Sequence, residues 1–261
     1  MNITTGLILA TLAAYVWPFA RLSAMLMTML VISSQSVPIL VRMVYALAIT
    51  AVIAPVLPPM PSTDLFSLTG ALITGQQVLI GIALGFISQM VVQAFILAGQ
   101  IIALQTSLGF ASMVDPLNGE STPVIGQFYL MLSTLVFFAV DGHLTMLQML
   151  TQSFVSLPVG PTGIAPGGFR QMASMGSLLF ETALSFALAA TIALLMVNFT
   201  FGIMTRAAPQ LNIFSMGFAV AMICGLFIMW LSVGNFLPHF ENHWHRTQLV
   251  MCDILALPCG R

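Results

Sequence analysis

The chain has 261 residues, of which 59% are hydrophobic and 5% charged, with a mean hydropathy of +1.05 and a net charge of −1. A soluble domain carries about 25% charged residues, so the solvent for most of this surface must be lipid or the apolar faces of other proteins. A near-neutral chain whose six basic residues are all arginine gives no electrostatic case for nucleic acid or for an anionic membrane surface.

The first apolar run, residues 7–32, has no basic flank and continues past Arg21, so it reads as a retained segment and not a signal peptide. Pro18 follows Trp17 and is expected to kink the helix and release a carbonyl. Arg21 lies deep in the run, where a cation is costly, and is expected to have a partner within the protein. Five further runs follow at 39–57, 68–104, 124–150, 176–204 and 211–237. Each reaches the roughly 17–25 residues of a spanning helix, and alanine, leucine and methionine favour helix over strand. No alternation of the barrel type appears. The expected fold is therefore all-α and membrane-associated, with about six hydrophobic helices.

The breaks between runs carry turn signals. "SSQSVP" (33–38) and "PVLPPMPSTD" (55–64) flank the second run, and Ser62, Thr63 or Asp64 is expected to cap the third. Arg42 sits near a run end and is expected to snorkel or to lie at an interface. The third run is too long for one ordinary span. Its 37 residues would reach about 55 Å against a hydrocarbon core of about 30 Å, so it either breaks or does not cross in the simple way. Gly81, Gly85, Gln89, Gln93, Gly99 and Gln100 recur in it at helical spacing and gather on one stripe. Two readings stay open: an intramolecular packing face, or a face that meets partner subunits or lines a conduit.

Within the fourth run lies "FFAVDGHL" (137–144). Asp141 and His143 could form an acid–base pair, but Asp-Gly more often marks a turn, with Asp141 capping the next helix. "LPVGPTGIAPGGFR" (157–170) is a loop rich in proline and glycine. The fifth run carries Glu181 and Asn198, and Arg206 follows it; with Arg21 these are expected to be structural or to meet partners. With six spans, Arg170, Arg246 and Arg261 fall on one side and Arg42 and Arg206 on the other, so the positive-inside rule gives no orientation.

The most metal-like piece is "PHFENHWHR" (238–246). His239 and His243 stand four residues apart with His245 nearby. Glu241 is not where an H-E-x-x-H mechanism needs it, and the stretch reads as an interfacial, partly exposed helix end. Cys224 is inside an apolar run. Cys252 and Cys259 lie near the end of the chain and could pair, but no disulfide framework recommends it. There is no P-loop, dinucleotide fingerprint or Ser–His–Asp spacing, so neither an enzyme, nor a cofactor, nor a metal site is expected. A stand-alone carrier or channel for a small solute, using Arg21, Glu181 and Asn198, is the alternative reading; no inverted repeat favours it.

Three stretches together, "QTSLGFASMVDPLNGESTPVIGQF" (105–128), "LVFFAVDGHL" (135–144) and "RAAPQLNIFSMGF" (206–218), resemble the R subunits of flagellar type III protein export gates and the wider family of R-type subunits of virulence secretion systems. The likeness runs over essentially the whole chain in length and in the order of the runs. It departs from the family pattern at Ala219, where the family carries proline, so a kink there is not carried over. The resemblance implies a non-enzymatic subunit whose helices form bent hairpins and pack with P and Q subunits into a closed hetero-oligomeric helical gate. It further implies the B and A export-apparatus membrane proteins, unfolded flagellar export substrates and membrane lipid as partners. The place implied is the bacterial inner membrane at the flagellar basal body, with part of the gate raised to the periplasmic level. By the same analogy residues 1–175 are P-like and residues 176–261 are a Q-like helical hairpin and tail.

The family's pore-closing loop matches residues 105–122. Phe110, Met113, Val114 and Leu117 are the plug candidates, and Gly109, Pro116 and Gly119 the hinges. The resemblance assigns no role to Asp115 and Glu120.

Overall fold

The computed structural model describes residues 2–29, 37–61, 63, 65, 67–106, 124–207, 213–257 and 259. Among them are eight α-helices and no strand: α1 (Asn2–Thr28), α2 (Ile39–Ile53), α3 (Leu68–Gln105), α4 (Val124–Ala139), α5 (Gly142–Ser156), α6 (Pro166–Ala207), α7 (Ile213–Gly234) and α8 (Phe236–Ile254). A 3-10 turn, Ala54–Val56, extends α2. Four helices, α3, α6, α7 and α2 with its turn, are long and apolar enough to cross a membrane. The protein is an all-α membrane protein.

All six apolar runs are helical, and two local events raise the count to eight. The fourth run divides at Asp141, whose φ of 54° and ψ of 29° lie in the left-handed region, which Asp tolerates better than most residues with a Cβ. The expected side-chain cap from Asp141 is not formed. Its carbonyl instead accepts the Thr145 N–H at 3.0 Å and the Thr145 hydroxyl at 3.1 Å. The second event is α8: the stretch read as a helix end is the interior of a 19-residue amphipathic helix.

Other expectations shift by a residue or a turn. Of the two readings of the third run, a break is ruled out: α3 is continuous over 38 residues, about 57 Å at 1.5 Å per residue. Its first turn is capped by Ser67, whose hydroxyl accepts the Gly70 N–H at 3.0 Å; the cap expected at 62–64 lies further along, and Ser62 and Asp64 are outside the described residues. Helix α1 runs through Pro18, and α7 runs unbroken through Ala219. Pro166 opens α6, where its fixed φ and missing N–H cost nothing.

The helices group into two compact units. The first comprises Met1–Met90, Asp141–Met175 and Arg246–Arg261; the second Val91–Val140 and Gly176–His245. In the first, α1 packs on α2 and the 3-10 turn, and Trp17, Ala13 and Ile73 form a buried cluster joined by Met60, Leu65 and Val159. Trp17 also donates its indole N–H to the Thr74 hydroxyl at 3.2 Å. Cys252 and Cys259 are disulfide-bonded there, against the sequence expectation, because the chain reverses after α8 and returns Cys259 to the helix. In the second unit an aromatic cluster forms the core. Phe95 meets Phe186 at 5.6 Å, Phe236 at 4.8 Å and Phe240 at 5.5 Å between centroids. Tyr129 closes on Phe186 at 5.4 Å and its hydroxyl is 2.6 Å from that of Ser232.

Candidate functional site

The plug candidates Phe110, Met113, Val114 and Leu117 and the hinges Gly109, Pro116 and Gly119 lie outside the described residues, as do Asp115 and Glu120. The root of that segment is described, within the second unit. Helices α3 and α4, which flank it, cross closely at Gly99 of α3. A Cβ on Gly99 would fall 3.0 Å from the Ile125 carbonyl oxygen and 3.1 Å from the Gly126 Cα. One on Gly126 would meet Ile96 and the Gln100 side chain at ordinary contact distance. At the end of α3, Thr106 is fully buried and its hydroxyl donates to the Ala103 carbonyl at 3.0 Å. Its methyl lies against Gly225 of α7, so closely that a Cβ there has no room. Asn198 of α6 donates to the Gln105 carbonyl at 3.4 Å, a long bond to one of the carbonyls that a helix end leaves without an intrahelical partner. Three helices therefore hold the point where the segment leaves α3.

The stripe on α3 divides by residue type. Gly81 and Gly85 lie against α1 in the first unit. A Cβ on Gly81 would collide with the Arg21 carbonyl oxygen and lie 2.8 Å from the Ala24 Cβ; one on Gly85 would be 2.6 Å from the Met25 carbonyl oxygen and closer still to the Thr28 hydroxyl. Gln89, Gln93 and Gln100 are half-buried, on the less covered side of α3.

Arg21 is fully buried in the first unit. Its four hydrogen bonds all end on neutral oxygens. Nε and Nη2 converge on Gln77 Oε1, Nη1 donates to the Ser153 hydroxyl at 2.9 Å, and Nη2 to the Leu157 carbonyl at 2.9 Å. The guanidinium also lies over the Phe154 ring, 4.0 Å from its centroid. One side chain thus ties α1 to α3, α5 and the start of the following loop. Gln76 adds a second tie, donating to the Pro161 carbonyl at 2.6 Å. With its donors so engaged, Arg21 is not set out to receive a solute.

The remaining polar candidates are scattered. Glu181 and Asn198 are exposed on α6, and Arg206 is exposed in its last turn. Arg42 donates to the Val37 carbonyl at 2.9 Å, a local bond at the start of α2. His243 is buried, with Nδ1 2.9 Å from the Thr182 hydroxyl. His239 packs edge-on to Phe186 at 5.5 Å, and His245 is exposed. Among the described residues no group of three His, Cys, Asp or Glu is placed to hold a metal ion. Sequence reasoning missed Gln77, although it stands four residues before Gly81 on the same helical face. It also missed Ser153 and Leu157, for which no local signal exists.

Residues 12–247 match the family of bacterial export proteins, family 1. The chain belongs to this family. It is 35% identical over 256 residues to the flagellar biosynthetic protein FliR of Escherichia coli (strain K12), covering 98% of each chain. It is 34% identical over 242 residues to the FliR of Pectobacterium carotovorum subsp. carotovorum, covering 93% of this chain and 92% of that one. To the FliR of Bacillus subtilis (strain 168) it is 25% identical over 247 residues, covering 94% and 95%. Family membership makes the chain a component of a bacterial export apparatus, and its apolar helices suit it to the inner membrane.

Proposed function

We propose that the chain is a non-enzymatic subunit of the flagellar type III export gate, and that with P and Q subunits it forms the channel through which unfolded flagellar proteins leave the cell. The family match over residues 12–247 carries this reading. The exposed apolar length of α6 supports it. Its apolar run, residues 176–204, extends about 44 Å, longer than a hydrocarbon core of about 30 Å unless the helix is strongly tilted. The chain buries only 22% of its most apolar 18-residue window. That surface is open to neighbouring subunits as well as to lipid. On this reading part of the gate stands at the periplasmic level of the basal body, residues 1–175 are P-like and 176–261 Q-like. The B and A membrane proteins of the apparatus are further neighbours.

Residues 105–122 plug the closed pore. Phe110, Met113, Val114 and Leu117 exclude water and ions by dewetting, and yield to a passing chain because no specific bond must break. Methionine adapts its shape to what passes. Gly109, Pro116 and Gly119 permit sharp turns, while Asn198, Gly225 and Thr106 fix the root. Deleting residues 109–120 is expected to leave assembly intact and make the membrane leaky to small solutes. An assembled, ion-tight deletion variant overturns the plug. Solubilised, tagged protein is expected to bring down two other small hydrophobic proteins; a monomer that binds a solute overturns the gate.

A further inference from the structure

We propose that the Cys252–Cys259 disulfide is formed by periplasmic oxidation, and that the end of α8 therefore lies on the periplasmic side of the inner membrane. The pairing follows from how α8 stops. The Leu257 N–H bonds to the Cys252 carbonyl at 2.8 Å and the Ala256 N–H to the Asp253 carbonyl at 3.3 Å. Ala256 sits between them with φ at 52°. This is a Schellman ending, with alanine where glycine is usual, so a residue with a Cβ is kept in the left-handed region. The Cys259 N–H then bonds to the Leu257 carbonyl at 2.9 Å, folding the chain back over the helix end. The two Cα atoms stand 5.9 Å apart, inside the range a disulfide spans without backbone movement.

The surroundings bear on what the bond does and where it can form. Cys252 is buried beside Met251, Ile254 and Leu255, and Ile254 lies against Gly168 in the first turn of α6. The bond therefore locks a packed turn. Glu241, His245 and Asp253 are exposed on the same helix, so α8 presents a face suited to water, where an oxidant can reach. Cys224 in α7 remains a free thiol, so the pairing is selective.

Oxidation removes two protons and two electrons from the thiols. The oxidant is a disulfide-bearing thiol oxidoreductase. One cysteine thiolate attacks its disulfide to give a mixed disulfide, and the second cysteine displaces the enzyme as a dithiol. Such oxidants act in the periplasm, and the reducing cytosol opposes the bond. The inference rests on the inner-membrane placement in the gate reading and is independent of the plug.

The full chain, carrying Cys224→Ala, is expressed in flagellated cells, and thiols are trapped by acid before lysis. Free thiols are then blocked with N-ethylmaleimide under denaturing conditions, and the sample is reduced and treated with polyethylene-glycol maleimide. Two adducts per chain are expected in normal cells and none in cells lacking the periplasmic thiol oxidase. No adducts in normal cells, or two in both strains, overturns the proposal. Swimming and co-purification are scored alongside. Free thiols in a swimming cell sink this inference and leave the gate reading standing. An oxidised pair in a chain that purifies alone does the reverse.

Discussion

Replacing Arg21 by methionine tests the largest buried polar commitment in the first unit. The substitution keeps much of the side-chain volume and removes every hydrogen bond. Gln77 Oε1 and the Leu157 carbonyl lose their partner, at about 1–3 kcal/mol for each orphaned group. Ser153 loses less, because its hydroxyl still donates to the Leu150 carbonyl at 2.6 Å. The contact over Phe154 adds about 1–2 kcal/mol. Against these stands a gain, since no cation then has to be held out of water. The net expectation for Arg21→Met is about 2–4 kcal/mol of destabilisation. At roughly 2–4 °C per kcal/mol for a chain of this size, that lowers the thermal midpoint in detergent by on the order of 5–10 °C. Gln77→Leu alone also destabilises, because it leaves the guanidinium buried with two N–H groups unpaired. The double variant removes both sides of the main pairing. It also removes the Gln77 Nε2 group, which is buried without a partner among the described residues. Its midpoint is expected to lie above that of either single variant. Thermal unfolding of the three variants, followed by size-exclusion of a fluorescent fusion, reads the cycle. Additivity to within about 0.5 kcal/mol, or an Arg21→Met protein as stable as the parent, refutes the reasoning.

Three further expectations use the same assay or a simple functional one. Gly81→Ala forces α1 from α3 at the Arg21 carbonyl and costs about 1–3 kcal/mol, whereas Gly75→Ala, with nothing within 4 Å of the new Cβ, is neutral or stabilising by up to about 1 kcal/mol; equal effects at the two sites would contradict the close crossing. Gly225→Val presses on the Thr106 methyl, which cannot rotate away without breaking the bond to Ala103. On the gate reading the variant assembles but leaks small ions, while Gly217→Ala, whose Cβ would meet Phe201 at an ordinary 3.5 Å, stays tight; ion flux into intact cells separates the two. Cys252→Ser lowers stability by about 2 kcal/mol, from a loop closed over a sequence separation of 7, and reductant brings the parent down to the variant without moving the variant itself.

Much of the fold is legible in the sequence, because apolar runs bounded by Pro, Gly and Ser clusters leave a membrane chain little choice but helix. What escapes is of two kinds. Some features had a signal that was read for something else. In α8, Phe236, Phe240, His243, Thr247, Met251 and Ile254 are buried at spacings of three and four, a plain amphipathic period, but the stretch around the histidines reads as a helix end and not as the interior of a helix. Gln77 likewise continues the four-residue spacing of Gly81 and Gly85. Other features had no local signal. Ser153 and Leu157 reach Arg21 across separations of 132 and 136 residues, and the cysteine pair depends on a left-handed alanine that composition does not announce.

Hydropathy treats lipid and protein as one apolar solvent, and length is what separates them here. The spans Ile39–Val56 and Gly217–Gly234 are each 18 residues long and 11% buried. At about 27 Å each they match a hydrocarbon core of about 30 Å, so lipid alone can cover them. Helix α3 is longer than the hydrocarbon core, but the chain itself buries 67% of its most apolar 18-residue window. Helix α6 differs from both: its apolar run, residues 176–204, extends about 44 Å, and the chain buries only 22% of its most apolar 18-residue window. Its exposed residues Phe180, Leu184, Leu188, Ile192, Phe199 and Ile203 recur at mostly four-residue spacing along one face. That row extends about 35 Å, close to what a tilted helix can place in lipid, so both lipid and protein suit it. Of the two helices longer than the hydrocarbon core, α6 is therefore the one whose apolar surface the chain leaves open to partner subunits, and this follows from its burial independently of any likeness to a known gate.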